Sequence, residues 1–328
     1  MRKYRYFQTA AALLLVICLV LTATPVYIPG TGKAAGGMDE EARQSSSVEN
    51  DGADMQEQKQ DDQTAGANDR TEEEAVQTAD TPLCVTVLGD SIAKGYCADK
   101  SAEIVPYAEL AAERIAGQQE RAYEVQNFAK NGLDSVRMNA EILEQAEVRE
   151  SISRADLILI TVGSNDLLNE CKNTVREILD TDTKFKSAEQ ALRVLEDALT
   201  ENPLLIVNII AALGGWDYPS FMEEWEQMMT TVNELKKEGA EVIATNIYNP
   251  VENMELPSTM NGTVEDIIGN MNAIIEGYAG EYDYIAADIF SLDVPGHVQA
   301  DGLHPDQEGQ ELIADLICGI YEEQCLNP

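Results

Sequence analysis

The chain is short of histidine, of basic side chains and of aromatics. It has two histidines in 328 residues, 22 lysines and arginines against 59 aspartates and glutamates, and 6% Phe, Trp and Tyr. Each shortage excludes something. A formal charge of -37 repels nucleic acid and anionic membrane surfaces, which disfavours polyanionic partners and leaves neutral ones; the same acidity also serves solubility. Two imidazoles and six cysteines without a CxxC pair give no metal-binding pattern.

Long apolar stretches are confined to the N-terminus. Arg2, Lys3 and Arg5 precede an apolar run from about Ala10 to Ala23, the order of a secretory signal, so residues 1–37 are expected to be a signal peptide and the protein to leave the cytoplasm. The run can also be extended through Val26 and Ile28 to roughly the 20 residues that span a bilayer, so an uncleaved N-terminal membrane tether is the alternative. Ile17 stands before Cys18 where a lipoprotein signal wants a small residue, which argues against lipidation.

Residues 38–80 carry 14 acidic and 3 basic side chains and no aromatics. Such a segment cannot bury enough apolar surface to offset its ordering entropy and is expected to be a disordered acidic linker. Residues 81–328, with 45 acidic against 15 basic side chains, are then long enough for one sizeable domain. Of its cysteines (Cys84, Cys97, Cys171, Cys318 and Cys325), the odd number leaves one or more unpaired outside the cell. Cys318 and Cys325 are the one candidate pair close in sequence.

Five apolar runs recur along the domain: Leu83–Leu88, Tyr123–Phe128, Leu157–Val162, Glu241–Ile247 and Tyr284–Ile289. Between them lie helical patterns at Val105–Ala116, Ser135–Glu144, Ser187–Leu199, Phe221–Lys237 and Val264–Tyr278, with a last one at Asp306–Tyr321; Pro203–Trp216 leans to helix. Short continuous apolar runs flanked by amphipathic segments predict buried parallel strands in a three-layer α/β sandwich, with active groups in loops at the carboxyl ends of the strands.

Chemistry-bearing residues fall at those ends. The first strand runs into Gly89, Asp90 and Ser91, where a hydroxyl is held out of the core beside the amides of a helix start. Read alone, Ser91 is equally a helix N-cap, and the GxSxG elbow is missing because Ala93 takes the place of its second glycine. A serine hydroxyl needs a base, and the choice lies between His297 and His304. Asp301, three residues before His304, supplies an orienting carboxylate; no carboxylate precedes His297 at that spacing, so His304 is preferred. Donors for a developing oxyanion are available at Gly132, in Asn127–Gly132, and at Asn165, in Gly163–Asp166. Each is a routine turn alone; all four at strand ends or before the last helix are the parts of one acyl-transfer machine.

This arrangement resembles the four blocks of the SGNH hydrolases, the GDSL-like esterase/lipase family, from about Leu83 to the C-terminus. The resemblance implies Ser91 as nucleophile, Asp301 and His304 as the rest of a triad, and the Ser91 and Gly132 amides with the Asn165 side chain as oxyanion hole. Ala129 departs mildly from the family's second block, where many members have a further glycine. The resemblance also implies a flavodoxin-like α/β/α sandwich with a five-stranded parallel sheet and no cofactor.

Family substrates range from acetylated sugars to lipids. Export, the acidic surface and the lack of an obvious lid favour short acyl groups, such as acetyl on a glycan, and a monomer is expected. The rival readings are a lipase or lysophospholipase on longer chains and a silent glycan-binding module. Trp216, Tyr218, Phe221 and Trp225 are either an aromatic platform for sugar or acyl chain, or core. His304 must be neutral to act as base, so turnover is expected to rise with pH through histidine's ordinary range, about 6 to 7; a flat pH–rate profile from about pH 5 to 8 counts against that role.

Overall fold

The structure, a computed structural model, describes residues 81–98, 103–180, 194, 197–198, 200–202, 204–250, 252 and 258–326. The leader, the acidic linker and most of the helix expected at Ser187–Leu199 lie outside the described residues.

Five strands form one sheet in the order β2-β1-β3-β4-β5. They are β1 (Leu83–Gly89), β2 (Tyr123–Asn127), β3 (Leu157–Thr161), β4 (Glu241–Thr245) and β5 (Ile285–Ala287), and every pair is parallel. Each expected apolar run coincides with one strand: β1 runs one residue further, to Gly89, and the other four stop one or two residues short at the carboxyl end. Alternation within a strand divides the core. Leu157, Leu159, Val85, Val87 and Ile243 face one layer, while Ile158, Ile160, Leu88, Val242 and Ala244 face the other. Burial of each such side chain contributes about 1.5–3 kcal/mol, which is why both sheet faces are covered by helices.

One layer holds α2 (Tyr107–Gln118) and α9 (Gln307–Ile320). The other holds a short turn α3 (Ser135–Arg137) that continues as a π-helix over Met138–Ile142, then α4 (Ala146–Arg154), α5 (Ser164–Ile178), α6 (Leu205–Leu213), α7 (Tyr218–Leu235) and α8 (Ser258–Gly277). A four-residue α1 (Ser91–Lys94) follows β1 directly. The helix favoured for Pro203–Trp216 is α6. Two helices were not expected: α4, and α5, which turns the motif Gly163–Asp166 into a helix start rather than a loop.

Trp225, Phe221 and Trp216 are 0%, 4% and 9% exposed and belong to the core: Trp225 packs on Phe221 and Tyr284, whereas Trp216, beside the half-buried Tyr218, and Phe221 also line a groove with Asp217 and Glu224. Cys318 is a free thiol, its Sγ 3.8 Å from the Ala111 carbonyl; the side chain of Cys325 lies outside the described residues.

The close pairing of β1 with β3 explains one glycine. A Cβ on Gly89 would sit 2.7 Å from the Thr161 carbonyl oxygen and 2.7 Å from the Ala93 Cβ, closer than real contacts allow. Gly89→Ala is therefore expected to cost about 1–3 kcal/mol, read as a lower urea midpoint at unchanged slope. A variant as stable as the parent would show that β1 and β3 can part without cost.

Candidate active site

Ser91 owes its position to its neighbour. Asp90 leaves β1 in an extended conformation and caps α1, its Oδ1 accepting from the Ile92 amide at 2.8 Å. The N-cap role open to Ser91 in the sequence is thus filled by Asp90, and Ser91 is the first helical residue. Its hydroxyl is left for another partner, His304, whose Nε2 lies 2.9 Å from Ser91 Oγ.

The second half comes from the segment after β5. Asp301 divides its carboxylate: Oδ1 accepts from the amides of Leu303 and His304, both at 3.0 Å, and Oδ2 lies 2.7 Å from His304 Nδ1. Burial alone would raise the Asp301 pKa, but the bonds from the His304 ring and from the two amides outweigh it and hold it below its ordinary value. An ionised Asp301 accepts a hydrogen bond from Nδ1–H, which keeps the proton on that nitrogen and leaves Nε2 as acceptor toward Ser91. His297 is elsewhere: its Nδ1 lies 2.9 Å from Glu308 Oε2 on α9. A carboxylate does orient it, from the next helix rather than from its own turn, but that side chain is exposed, and the imidazole within hydrogen-bond distance of Ser91 is that of His304.

Gly132 and Asn165 occupy the neighbouring loops. Gly132 has φ 72° with open space where a Cβ would be, so backbone conformation rather than crowding calls for glycine there. Its carbonyl accepts from Arg137 Nη1 at 3.2 Å, and the Lys130 amide bonds Gly89 O at 2.9 Å, tying this loop to β1. Asn165, at the start of α5, is buried and donates from Nδ2 to Asp90 Oδ2 at 3.2 Å. The second Nδ2 hydrogen is the one that can serve a ligand.

Two carboxylates without an assigned role connect these parts. Asp90 bridges α1 and Asn165, and burial pushes its pKa up to about 6 against the bonds it accepts. Asp166, next to Asn165, accepts from the Ser135 amide at 3.1 and 3.2 Å and from the Ser135 hydroxyl; burial pushes it up to about 7. Asn169 Nδ2 donates to Asp134 Oδ2 at 2.7 Å, a second tie between α5 and the Gly132 loop. Both aspartates stood in the motifs singled out from sequence; what they bind is set by residues far away in the chain.

Two hollows adjoin Ser91 and the donor loops. A cavity of about 40 Å³ beside Ser91 and His304 is walled by Leu167, Leu168, Ile247, Tyr248, Pro250 and Leu303. A larger groove of about 390 Å³ runs from Asp134 and Asp166 past Glu170 to Asp217 and Glu224, with no basic side chain among the described residues of its lining. Among the described residues no group of His, Cys, Asp or Glu is placed to hold a metal ion.

The sequence model of the GDSL-like lipase/acylhydrolase family matches residues 85–317. Among solved structures, the lipase Lip_vut3 from a goat rumen metagenome superposes with a TM-score of 0.51 at 18% identity, covering 72% of this chain and 95% of the lipase; at that identity the likeness speaks for the fold. An extracellular lipase from Streptomyces rimosus gives a TM-score of 0.46 at 15% identity over 74% of this chain and 99% of its own. The psychrotrophic esterase EstA from Pseudoalteromonas sp. gives 0.41 at 16% identity over 74% and 98%. No curated protein matches the sequence.

The two buried carboxylates carry a pH signature. In the unfolded chain they release their protons near pH 3.9, whereas the folded protein keeps them to about 6 at Asp90 and about 7 at Asp166. The folded state binds more protons in between, so this contribution to stability is full below about pH 4 and is lost as pH rises through 6 to 7. Asp301, held low, has the opposite sign and loses its contribution on acidification. Urea unfolding at about pH 5 and 8 is expected to show a smaller loss with rising pH in Asp166→Asn than in the parent; an equal loss would mean that Asp166 is ionised throughout.

Proposed function

The chain belongs to the GDSL-like lipase/acylhydrolase family and is a serine ester hydrolase, and from this premise we propose that Ser91, His304 and Asp301 are its triad. The Ser91 and Gly132 amides and the Asn165 side chain form its oxyanion hole, and the substrate is a short-chain acyl ester of a neutral alcohol, such as an acetylated glycan. The observation that carries the reading is the unbroken line from Asp301 through His304 to Ser91, 2.7 and 2.9 Å.

Ser91 Oγ attacks the ester carbonyl carbon while His304 Nε2 takes its proton, and the carbonyl electron pair moves onto oxygen. The amide of Ser91 lies in the first turn of α1, where amides have no intrahelical acceptor, and so faces the new charge with Gly132 N–H and Asn165 Nδ2–H. Collapse expels the alcohol, which receives the proton from His304. Water then attacks the acyl-serine by the same route and releases the acid. Asp301, ionised throughout, holds the imidazole in the tautomer this needs.

The cavity beside Ser91 supports a short acyl group. At about 40 Å³ it exceeds the roughly 10–15 Å³ needed for one water by only a few-fold, and its walls are mainly apolar. The acidic lining of the adjoining groove supports a neutral, hydroxyl-bearing alcohol, since carboxylates accept from hydroxyls and repel phosphate. The charged-then-apolar leader and acidic linker support placing this chemistry outside the cytoplasm.

Hydrolysis of p-nitrophenyl acetate, butyrate and octanoate by the purified protein tests both parts. Acetate and butyrate are expected to exceed octanoate in kcat/KM by about tenfold or more, the order of a few methylenes that find no room. Ser91→Ala and His304→Ala should each lose at least about 10³-fold in kcat, and Asn165→Ala about 10²–10³-fold. Turnover untouched by Ser91→Ala would overturn the triad, and a preference for octanoate would transfer the reading to longer chains.

A further inference from the structure

Hydrogen bonds at both ends of an imidazole fix a line but leave the ring free to swing about it. In this site a third contact limits the swing: the Tyr96 ring lies over His304, centroids 4.5 Å apart and planes 48° apart. Tyr96 belongs to the turn just after α1, and its amide donates to Ser91 O at 2.9 Å, so the ring is carried by the nucleophile's own segment.

What fastens that segment to the His304 turn is Gln299. Its side-chain amide is fully used: Oε1 accepts from the Ala98 amide at 2.8 Å, and Nε2 donates to Tyr96 O at 2.7 Å and to Pro305 O at 2.8 Å. Its backbone closes the turn that carries Asp301 and His304, the amide donating to His304 O at 2.8 Å and the carbonyl accepting from Gly302 N at 2.8 Å. One residue thus joins, across about 200 positions of chain, the stretch following Ser91 to the stretch around His304.

We propose that Gln299 is a positioning residue of the esterase: it holds the Tyr96 ring over His304 and so keeps the imidazole in line with Ser91 during both proton transfers. The proposal rests on the reading of Ser91 and His304 as the catalytic pair. The side-chain chemistry is specific. An amide presents one acceptor and two donors at the end of a three-carbon reach. A glutamate would satisfy Ala98 but set its lone pairs against two carbonyls, and a methionine would fill the space with no bond at all.

The test uses the full chain with Gln299→Met, Gln299→Glu, Tyr96→Phe and Tyr96→Leu. The measurements are kcat and KM on p-nitrophenyl acetate, the rate at which a fluorophosphonate labels Ser91, and the urea midpoint. Misplacement of a reacting group by about 1 Å costs up to about 100-fold. Gln299→Met and Gln299→Glu are therefore expected to lose about 10- to 100-fold in kcat and in labelling rate, with KM within about twofold. Tyr96→Phe, which keeps the ring, should resemble the parent, and Tyr96→Leu should resemble Gln299→Met. The double variant Gln299→Met/Tyr96→Leu should be no slower than either alone, because both remove one constraint.

Unchanged kcat and labelling in folded Gln299→Met would overturn the proposal, as would equal losses in Tyr96→Phe and Tyr96→Leu or fully additive losses in the double variant. If Gln299→Met does not fold, the Tyr96→Phe and Tyr96→Leu pair decides. A parent that is labelled at Ser91 but hydrolyses no ester would refute the proposed function while leaving the labelling rates to judge Gln299.

Discussion

The contact on which the site depends is that between Asp301 and the Nδ1 face of His304. It settles the tautomer, and the tautomer settles whether Nε2 can take a proton from Ser91. A carboxylate that serves a ring so closely must itself be immobile, and Asp301 achieves this by spending its other oxygen on the amides of its own turn. Asp90 repeats the device on the opposite side: Oδ1 caps the helix that begins with Ser91 and Oδ2 receives Asn165. Each short turn is thereby stiffened and aimed by one side chain. Both turns are built from bonds between a carboxylate and amides, which suits a chain in which cations are scarce.

The parallel sheet is what lets such turns meet. β1 lies inside the sheet, flanked by β2 and β3, so the loops that leave these three strands at the carboxyl edge emerge side by side. Gly89 permits the close pairing with Thr161 that keeps the first and third loops in contact, and Asn127 binds Ala93 O across from the second. The groups around Ser91 therefore inherit their spacing from strand separation, and the His304 turn, which arrives from beyond the far edge strand β5, has to be fastened separately. That is the structural reason for a strut such as Gln299.

The parts of this arrangement that were legible in the sequence are those written in adjacent residues. Strands showed as continuous apolar runs because both faces of the sheet are covered. Ser91, Asp301 and His304, which the fold brings within hydrogen-bond distance, each sit in a short motif at a strand end or ahead of the last helix, as do Gly132 and Asn165, the proposed oxyanion donors. What stayed hidden depends on distant partners. The choice between Ser91 and Asp90 as N-cap is decided by whether the hydroxyl has a better partner, and that partner is 213 residues away. The partner of His297 comes from the next helix rather than from its own turn. Platform and core stayed open for Trp216, Tyr218, Phe221 and Trp225 because a sequence does not tell which face of a helix meets the sheet. Helix α5 was not expected because the polar motif Gly163–Asp166 that opens it reads as a turn, although Leu167, Leu168, Cys171, Val175 and Ile178 behind it recur at helical spacing.

Beside the apolar packing of α9 on α2, the C-terminal segment is tied to the segments around α1 and α2 by side-chain amides. Besides Gln299, Gln310 accepts from the Tyr107 amide at 2.8 Å and donates to Ile92 O at 3.0 Å, in a fully buried setting, and Gln307 accepts from the Val105 amide at 3.0 Å. Carboxylates at these positions would face carbonyl oxygens, and lysines would turn away backbone amides that need an acceptor; the glutamine amide meets both needs without a charge to desolvate. In a domain with three acidic side chains for each basic one, neutral clamps also avoid adding to a repulsion that already opposes compaction. Acidity is thus kept at the surface and in a few buried carboxylates that pass from neutral to charged near pH 6 to 7, while the segments that carry Ser91 and His304 are joined by a side-chain amide, that of Gln299, which does not titrate.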